Sequence, residues 1–425
     1  MKSKFRQELS KLIEEDIISE EIGNRIDNYY NNNSRNQPNR LLTIFGIFGS
    51  LLVGLGIILV LANNWDDFSK IIKTAFAFLP LLIGQFIVGF SILKKKSNTW
   101  LEASGVFLFF AVGSSISLIS QIYNIPGNLS SFFLTWILLC LPLVYVLKSK
   151  TVFFLTIVFS TVYACDLGCN FSGIRATPWM YILIMALLLP SYFKLLKNEK
   201  SKNTTALLNW LFPLSLVITF GTFLNSSYQF ELLIYIFFFG FLYNIGQLKI
   251  FQKLRIAKNG FLILGSLGLL ITMLLASSHY FWKGNFDYSF VNTKEIIITI
   301  LIVLPTLSIL YLNKTFSKLA FGNLFQYVSI VMIFVFLSHF IDDRIPFFLT
   351  NLGVFILGVS TIKKGVDSTN FTFLNYGLLI ITALIAIRFF DTDISFVLRG
   401  LLFIIVGVGF FVSNYLMAKK MKSNR

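Results

Sequence analysis

The chain has 425 residues, of which 56% are hydrophobic and only 13% are charged. Soluble domains carry roughly 25% charged residues, so this composition excludes an ordinary water-soluble protein and predicts an all-α, multi-pass membrane protein whose partner is the lipid bilayer. The net charge of +16 is typical of nucleic-acid binding, but the basic residues stand singly or in short clusters between apolar runs, so we expect no nucleic-acid partner.

Residues 1–30 predict a small cytoplasmic helical hairpin. Apolar residues recur at helical spacing in two short runs, and Ser19 has the position of an N-cap before the second run. Such short helices are marginal alone, so this hairpin is the segment through which we expect a membrane-protein partner to bind. Residues 31–40 are rich in Asn and contain Pro38, which predicts a linker.

Residues 41–418 predict a bundle of about fourteen transmembrane helices, because each of fourteen apolar runs approaches the roughly 20 residues that a span needs. Residues 419–425 form a basic cytoplasmic tail. The predicted spans are Leu41–Ala62, Ile71–Leu93, Leu101–Ser120, Leu129–Leu147, Thr151–Cys165, Trp179–Leu196, Ala206–Leu224, Phe230–Gln247, Gly260–Phe281, Glu295–Leu312, Leu319–Phe340, Ile345–Ile362, Phe371–Phe389 and Ser395–Met417.

The distribution of Lys and Arg predicts the orientation. With both termini inside, most of the basic residues, including the cluster Lys94–Lys96, fall in cytoplasmic segments. Five prolines lie in the interior of predicted spans, beyond the first turn, which favours either hinges for alternating access or the ordinary occurrence of proline in membrane helices. These prolines are Pro80, Pro142, Pro190, Pro213 and Pro305.

Two polar groups lie at predicted outer helix ends. Asn64, Trp65 and Asp66 follow the first span, where they fit either a functional site or an interfacial anchor with helix caps. Gln121, Tyr123 and Asn124 follow the third span. That span is rich in Gly and Ser, which predicts either a tightly packed central helix or the lining of a cavity. Glu102 opens the same span, where we expect its negative charge to interact favourably with the positive N-terminal end of that helix.

A third polar group combines Arg388, Asp391 and Asp393 with Arg399, one to two turns into the last span. An arginine within the membrane needs an acidic partner or a wet cavity. Two interpretations stay open: an ion-pair network that closes the outer loops, and a site for a solute.

Catalytic and metal-binding motifs are missing from the sequence. It has no GxSxG, HExxH or P-loop pattern, and its three cysteines include no Cys-x-x-Cys pair. We therefore expect no enzyme activity, no cofactor and no metal site. Cys165 and Cys169 lie close enough in sequence to pair on an oxidising outer side.

Three stretches resemble the uncharacterised bacterial family of predicted membrane proteins called domain of unknown function 2157. They are the Leu9–Tyr30 hairpin with its Ile17–Glu21 segment, Gly54-Leu55-Gly56 running to Asn64-Trp65-Asp66, and Leu118–Asn124. The resemblance covers residues 9–150, and the last two spans resemble the usual ending of longer members. It implies a bacterial cytoplasmic (inner) membrane protein and supplies no activity. Asn63 departs from the family, which often has Ala there.

The helix number, the Gly- and Ser-rich spans and the in-span prolines together predict a transporter or permease of a small polar or anionic solute. We expect the three polar groups to converge at the outer face. The alternative is a non-catalytic membrane scaffold, or an accessory subunit of an envelope complex, that docks through residues 1–30.

Overall fold

The computed structural model describes residues 9–26, 65, 67–169, 176–198, 203–224, 228–251, 254–283, 293–316, 324–391 and 396–423. Within these ranges, some side chains, including those of Asp391 and Arg399, lie outside the description. The chain divides into two compact units, Met1–Phe76 and Ala77–Arg425. The regular structure of the described residues is helical, with no strand among them.

The first unit begins with two short helices, α1 at residues 9–14 and α2 at residues 20–26. Asp16 ends the first helical run with a φ of 55°, a left-handed conformation common after helix ends. Ser19 Oγ accepts a hydrogen bond from the Ile22 N–H at 3.4 Å, which is the contact expected of an N-cap. A Cβ at Gly23 would lie 2.5 Å from Ile13 Cδ1, so the two helices pack directly on each other.

The remaining helices are numbered in chain order. They are α3 Lys70–Leu93, α4 Asn98–Ile122, α5 Leu129–Val146, α6 Lys150–Cys169, α7 Trp179–Asn198, α8 Asn203–Phe220, α9 Tyr228–Gly246, α10 Gly260–Ala276, α11 His279–Lys283, α12 Thr293–Phe316, α13 Val328–Ser338, α14 Arg344–Asp367, α15 Phe371–Asp391 and α16 Phe396–Ser423. Three 3₁₀ turns, at Gly221–Phe223, Ile256–Lys258 and Leu324–Tyr327, join some of them.

The described part of the chain contains eight helices that are long and apolar enough to cross a membrane: α3 to α8, α14 and α15. Four shorter apolar helices, at Phe230–Gly246, Gly260–Ala276, Glu295–Tyr311 and Leu324–Ser338, overlap four further predicted spans. The first predicted span lies outside the described residues. The described residues therefore confirm an all-helical fold with eight candidate membrane-spanning helices, and the count of fourteen stays a prediction.

Several predicted bounds differ from those of the helices; the helix of the ninth span ends at Ala276 instead of Phe281, and the last continues to Ser423. The fifth span runs over Lys150–Cys169 instead of Thr151–Cys165, because the helix continues past the apolar run with Asp166 buried in it at 2% exposure. The eleventh span is helical only over Val328–Ser338 after a 3₁₀ turn, within the residues described there. Cys165 and Cys169 both lie on α6 as free thiols.

The second unit is built around two apolar clusters. One joins α4 to α10 and α12 and includes Trp136, whose ring centroid lies 4.6 Å from that of Phe159. The other joins α9, α10 and α13 to α15 around residues such as Met273 and Val354. Helices α9 and α10 contribute buried residues to both clusters, so these two helices connect them.

Glycines bring two helix pairs into close contact. A Cβ at Gly265 of α10 would lie 2.4 Å from the Tyr243 nitrogen of α9, and a Cβ at Gly365 of α14 would lie 2.4 Å from the Leu374 nitrogen of α15. No other residue fits at these positions without moving a backbone. Close backbone approach is a common way for membrane helices to associate, since lipid provides no hydrophobic drive.

The predicted in-span prolines Pro80, Pro142, Pro190, Pro213 and Pro305 all lie inside helices. Near two of them a hydroxyl from a neighbouring helix donates to a backbone carbonyl of the proline-containing helix. Ser115 Oγ donates to Ala77 O at 2.7 Å, three residues before the proline of α3. Tyr145 Oη donates to Leu187 O, three residues before the proline of α7. Such contacts satisfy carbonyls near a proline in lipid.

Candidate functional site

An open groove of about 870 Å³ lies between α3, α4 and α5. Its walls combine apolar residues with neutral polar side chains, and no charged residue lines it among the residues described. The polar lining consists of Gln85, Ser115, Ser117, Ser120, Gln121, Asn128, Ser131 and Thr135.

One face of α4 packs against α5, and a row of polar side chains on another face lines the groove. A Cβ at Gly113 would lie 2.3 Å from the Trp136 ring, so the absent side chain makes room for that indole. The Trp136 indole N–H donates to Phe109 O at 2.7 Å and fixes the ring against α4. Ser117 and Gln121, one turn apart, are exposed and line the groove. Both predicted roles of this Gly- and Ser-rich helix, packing and lining, are therefore realised.

The mouth of the groove is a hydrogen-bonded turn between α4 and α5. Asn128 caps α5, since its Oδ1 accepts from the Ser131 N–H at 2.8 Å and its own N–H donates to Ser131 Oγ at 3.3 Å. Ser120 Oγ donates to Ile125 O at 3.0 Å. Asn124 takes a φ of 49°, which reverses the chain. These polar groups are satisfied locally and hold the rim in place.

Three lining side chains have no such local role. Gln85, Ser117 and Gln121 make no side-chain hydrogen bond to any described residue, and all three are exposed to the groove. At about 1.5 Å per residue, Gln85 lies about 22 Å from the start of α3 and about 12 Å from its end. The carboxamide therefore sits well inside a helix that is long enough to cross the membrane, where it offers both a donor and an acceptor to a ligand.

The three walls of this groove lie in the first 150 residues, the part of the sequence that carries the family resemblance. Residues 10–153 match the family described as predicted membrane protein (DUF2157). The resemblance predicted from the sequence is thus confirmed over this region. No curated protein and no solved structure matches the chain.

The DUF2157 region contains two of the three predicted polar groups. Of the second group, Gln121 lines the groove, whereas Tyr123 and Asn124 are exposed residues that follow α4 outside the lining. Of the first group, Trp65 lies in the first unit, with Lys73 Nζ 5.8 Å from its ring centroid. Asn64 and Asp66 lie outside the described residues.

The third predicted group lies beyond the DUF2157 region. Its Arg388 side chain binds the C-terminal end of α10. Arg388 Nη2 donates to Ser277 O at 2.5 Å, and Asn351 Nδ2 donates to the same oxygen at 3.0 Å. Ser277 is the C-cap of α10, so the guanidinium neutralises the negative end of that helix. The guanidinium carbon also lies 5.0 Å from the Phe347 ring centroid. The side chains of Asp391, Asp393 and Arg399 lie outside the described residues.

No hydrogen bond or ring contact among the described residues joins Gln121 to Arg388, and Arg388 does not line the groove. Gln121 lies on α4 at the groove, whereas Arg388 lies on α15 against the end of α10. The predicted convergence of the polar groups into one outer-face site therefore stays a prediction.

Glu102 has a role that the sequence did not reveal. Its carboxylate accepts hydrogen bonds from the Lys150 N–H at 2.9 Å, from the Thr151 N–H at 3.0 Å and from Ser149 Oγ. Ser149 Oγ in turn accepts from the Val152 N–H at 3.1 Å. The expectation that Glu102 serves its own helix dipole is corrected, because the side chain caps the next-but-one helix, α6.

Two further acidic residues are buried, which the sequence did not indicate. Asp166 on α6 and Glu295 on α12 are 2% and 1% exposed. Both stand next to loop-like sequence, so only their three-dimensional packing distinguishes them from surface acids. Among the described residues, no group of three or more His, Cys, Asp or Glu side chains is placed to hold a metal ion.

Proposed function

We propose that this protein is a multi-pass transporter or permease of the bacterial cytoplasmic membrane that carries a small polar solute. The proposal assumes about fourteen membrane spans with both termini in the cytoplasm, as the charge distribution predicts. The eight long and four shorter apolar helices are compatible with that arrangement.

The observation that carries this proposal is the Gln85 carboxamide in the groove. Transferring an amide to an apolar environment without a hydrogen-bond partner costs about 1–3 kcal/mol in proteins and more in hydrocarbon. Gln85 is exposed at a depth where lipid would otherwise surround it. A wet groove, or one occupied by a polar solute, removes that cost, and Ser117 and Gln121 add two more hydrogen-bonding groups along the same surface.

The lining favours a neutral solute over an anionic one. Carboxamides and hydroxyls both donate and accept, whereas an anion needs donors and is held best by Arg or Lys. The basic candidate at Arg388 is engaged with the end of α10. We therefore narrow the polar or anionic solute of the sequence prediction to a neutral solute rich in hydroxyl or amide groups.

Solute entry into proteoliposomes tests this function. Light scattering after an osmotic step with glycerol, urea or mannitol should show faster entry than in protein-free liposomes for at least one solute. Gln85→Leu and Gln121→Leu should each slow that entry at least about tenfold, since each removes a hydrogen-bonding group from the path. Asn375→Leu removes an exposed carboxamide on α15, away from the groove, and should leave entry unchanged. Equal rates for all three variants would contradict the proposal.

A second candidate is a non-catalytic scaffold or accessory subunit. It is favoured by the N-terminal hairpin, where Leu12, Ile17 and Ile22 are 37%, 61% and 48% exposed. An apolar surface on so short a segment suits a membrane-protein partner. Crosslinking in cells with and without residues 1–39 tests it: loss of a specific crosslinked species on deletion is expected, and identical crosslinks would argue against a docking role.

A further inference from the structure

A separate cavity of about 230 Å³ lies in the C-terminal half, between α9, α10, α14, α15 and the 3₁₀ turn Leu324–Tyr327. Aromatic rings form much of its wall. The Phe325 centroid lies 5.6 Å from that of Tyr243 and 6.1 Å from that of Tyr376. Leu262, Ile263 and Leu267 add an aliphatic surface from α10.

One cation faces this apolar cavity. Lys364 lies in the last turn of α14, is half-buried and lines the cavity. Its Nζ lies 4.8 Å from the Phe373 ring centroid, within the range of a cation–π contact. It makes no ion pair with any residue that the structure describes. A partly buried ammonium in such surroundings is an attractive site for an anion.

A hydroxyl group lines the same cavity beside the cation. Tyr376 follows Phe373 by one helical turn on α15, so both lie on the same face. Its Oη is buried with the Ser266 hydroxyl as a polar neighbour, and it makes no hydrogen bond of normal length within the described part of the chain. Buried hydroxyls are almost always satisfied, so this one points to a ligand with an acceptor oxygen. The nearby Ser266 hydroxyl, by contrast, donates to Ile263 O at 3.0 Å.

We propose that this cavity binds the phosphate end of an acidic membrane lipid. The phosphate accepts from the Lys364 ammonium and from Tyr376 Oη, and the first carbons of the lipid lie against the aromatic and aliphatic wall. A few convergent polar groups in a mainly apolar pocket are the usual features of a ligand site. Basic pockets between transmembrane helices are also known to recognise acidic head groups.

Position and size both favour a lipid head group. Lys364 stands three residues before the end of a helix that is long enough to span the membrane, which is the depth of lipid phosphates. The volume is smaller than the roughly 300–1,000 Å³ of pockets for drug-sized ligands, so the cavity takes one end of a lipid while the chains remain in the bilayer. The site is independent of the proposed transport groove.

Native mass spectrometry of the full-length protein in detergent tests this site. The probes are phosphatidylglycerol, phosphatidylcholine with the same chains, and soluble glycerol 3-phosphate as a competitor. We expect one tight phosphatidylglycerol site, with phosphatidylcholine bound about tenfold more weakly and no displacement by glycerol 3-phosphate. Lys364→Gln should weaken phosphatidylglycerol at least about tenfold, since charge-assisted hydrogen bonds are the strong ones.

Lys363→Gln is the matched control, because it removes the same charge from the adjacent, exposed position outside the cavity. It should change the affinity less than about twofold. Tyr376→Phe, which removes one hydroxyl, and Ser266→Leu, which fills the cavity, should each weaken lipid binding. These two variants test the site if Lys364→Gln does not fold. Equal losses for Lys364→Gln and Lys363→Gln, equal binding of both lipids, displacement by glycerol 3-phosphate, or unchanged binding in Tyr376→Phe and Ser266→Leu would each overturn the proposal.

Discussion

Replacing Glu102 should destabilise the protein through a helix that the residue does not belong to. The carboxylate receives the first two backbone N–H groups of α6, those of Lys150 and Thr151. Ser149 takes the third, through its bond from Val152. The substitution Glu102→Ala therefore leaves two N–H groups of a membrane helix without their acceptor.

The expected loss can be worked from these contacts. Loss of a capping acceptor costs typically about 1 kcal/mol, and two N–H groups are affected here. Removal of a negative charge from the positive end of α6 adds roughly 0.3–1 kcal/mol. Because Glu102 is partly exposed, we expect a total of about 2–3 kcal/mol. Glu102→Gln keeps one acceptor oxygen and loses the charge, so its cost should be nearer about 1 kcal/mol.

Unfolding of the purified protein in mixed micelles, followed by circular dichroism across a series of dodecyl sulfate fractions, measures these differences. Asp367→Ala removes an exposed acidic residue from the last turn of α14 and should change the free energy of unfolding by less than about 0.5 kcal/mol. If Glu102→Ala changes stability no more than Asp367→Ala does, the capping role is refuted.

Three further predictions concern packing, a helix end and thiol exposure. Gly113→Ala should lower the free energy of unfolding by about 1–3 kcal/mol, because the new Cβ overlaps the Trp136 indole. Gly89→Ala is the control: its Cβ meets nothing within 4 Å, so the substitution should be neutral or slightly stabilising. The same unfolding series measures both variants. Arg388→Ala should cost about 1.5–3 kcal/mol through loss of its charged hydrogen bonds to the end of α10, and thermal unfolding in detergent would show no change if the arginine acts only on a solute. In the folded protein a small maleimide should modify exposed Cys169 and spare buried Cys140, and mass spectrometry of the labelled peptides would contradict this burial if both react at similar rates.

Much of the helical architecture follows from the sequence, since apolar runs of spanning length are a strong and local signal. The limits of that signal appear where polar residues continue a helix. Asp166 and Gly168 look like loop residues after an apolar run, yet they remain in α6 because the protein interior accommodates them. Span length is visible in a local window, whereas such burial depends on neighbouring helices that the window does not contain.

The candidate sites likewise contain residues that the sequence indicated and residues that only the packing of the helices reveals. Gln121 was identifiable as a polar residue at the end of a Gly- and Ser-rich helix, and it does line the groove. Gln85 gave little signal, because a single amide in an apolar run does not reveal which face it occupies. Arg388 was identified only as a member of a charged group near the membrane surface, and its observed partner is a backbone carbonyl 111 residues away in sequence. Backbone acceptors have no signature in the amino-acid sequence, so neither this cap nor that of Glu102 could be assigned from it.

The most direct test of the proposed transport function is whether water reaches the groove at membrane depth. In a variant without the three native cysteines, Gln85→Cys, Gln121→Cys and Phe86→Cys can each be exposed to a charged, membrane-impermeant methanethiosulfonate in proteoliposomes. Phe86 is 74% exposed next to Gln85 on the same helix, but it does not line the groove. The proposal predicts rapid modification of Gln85→Cys and Gln121→Cys and none of Phe86→Cys. A Gln85→Cys thiol as inert as that of Phe86→Cys would contradict it.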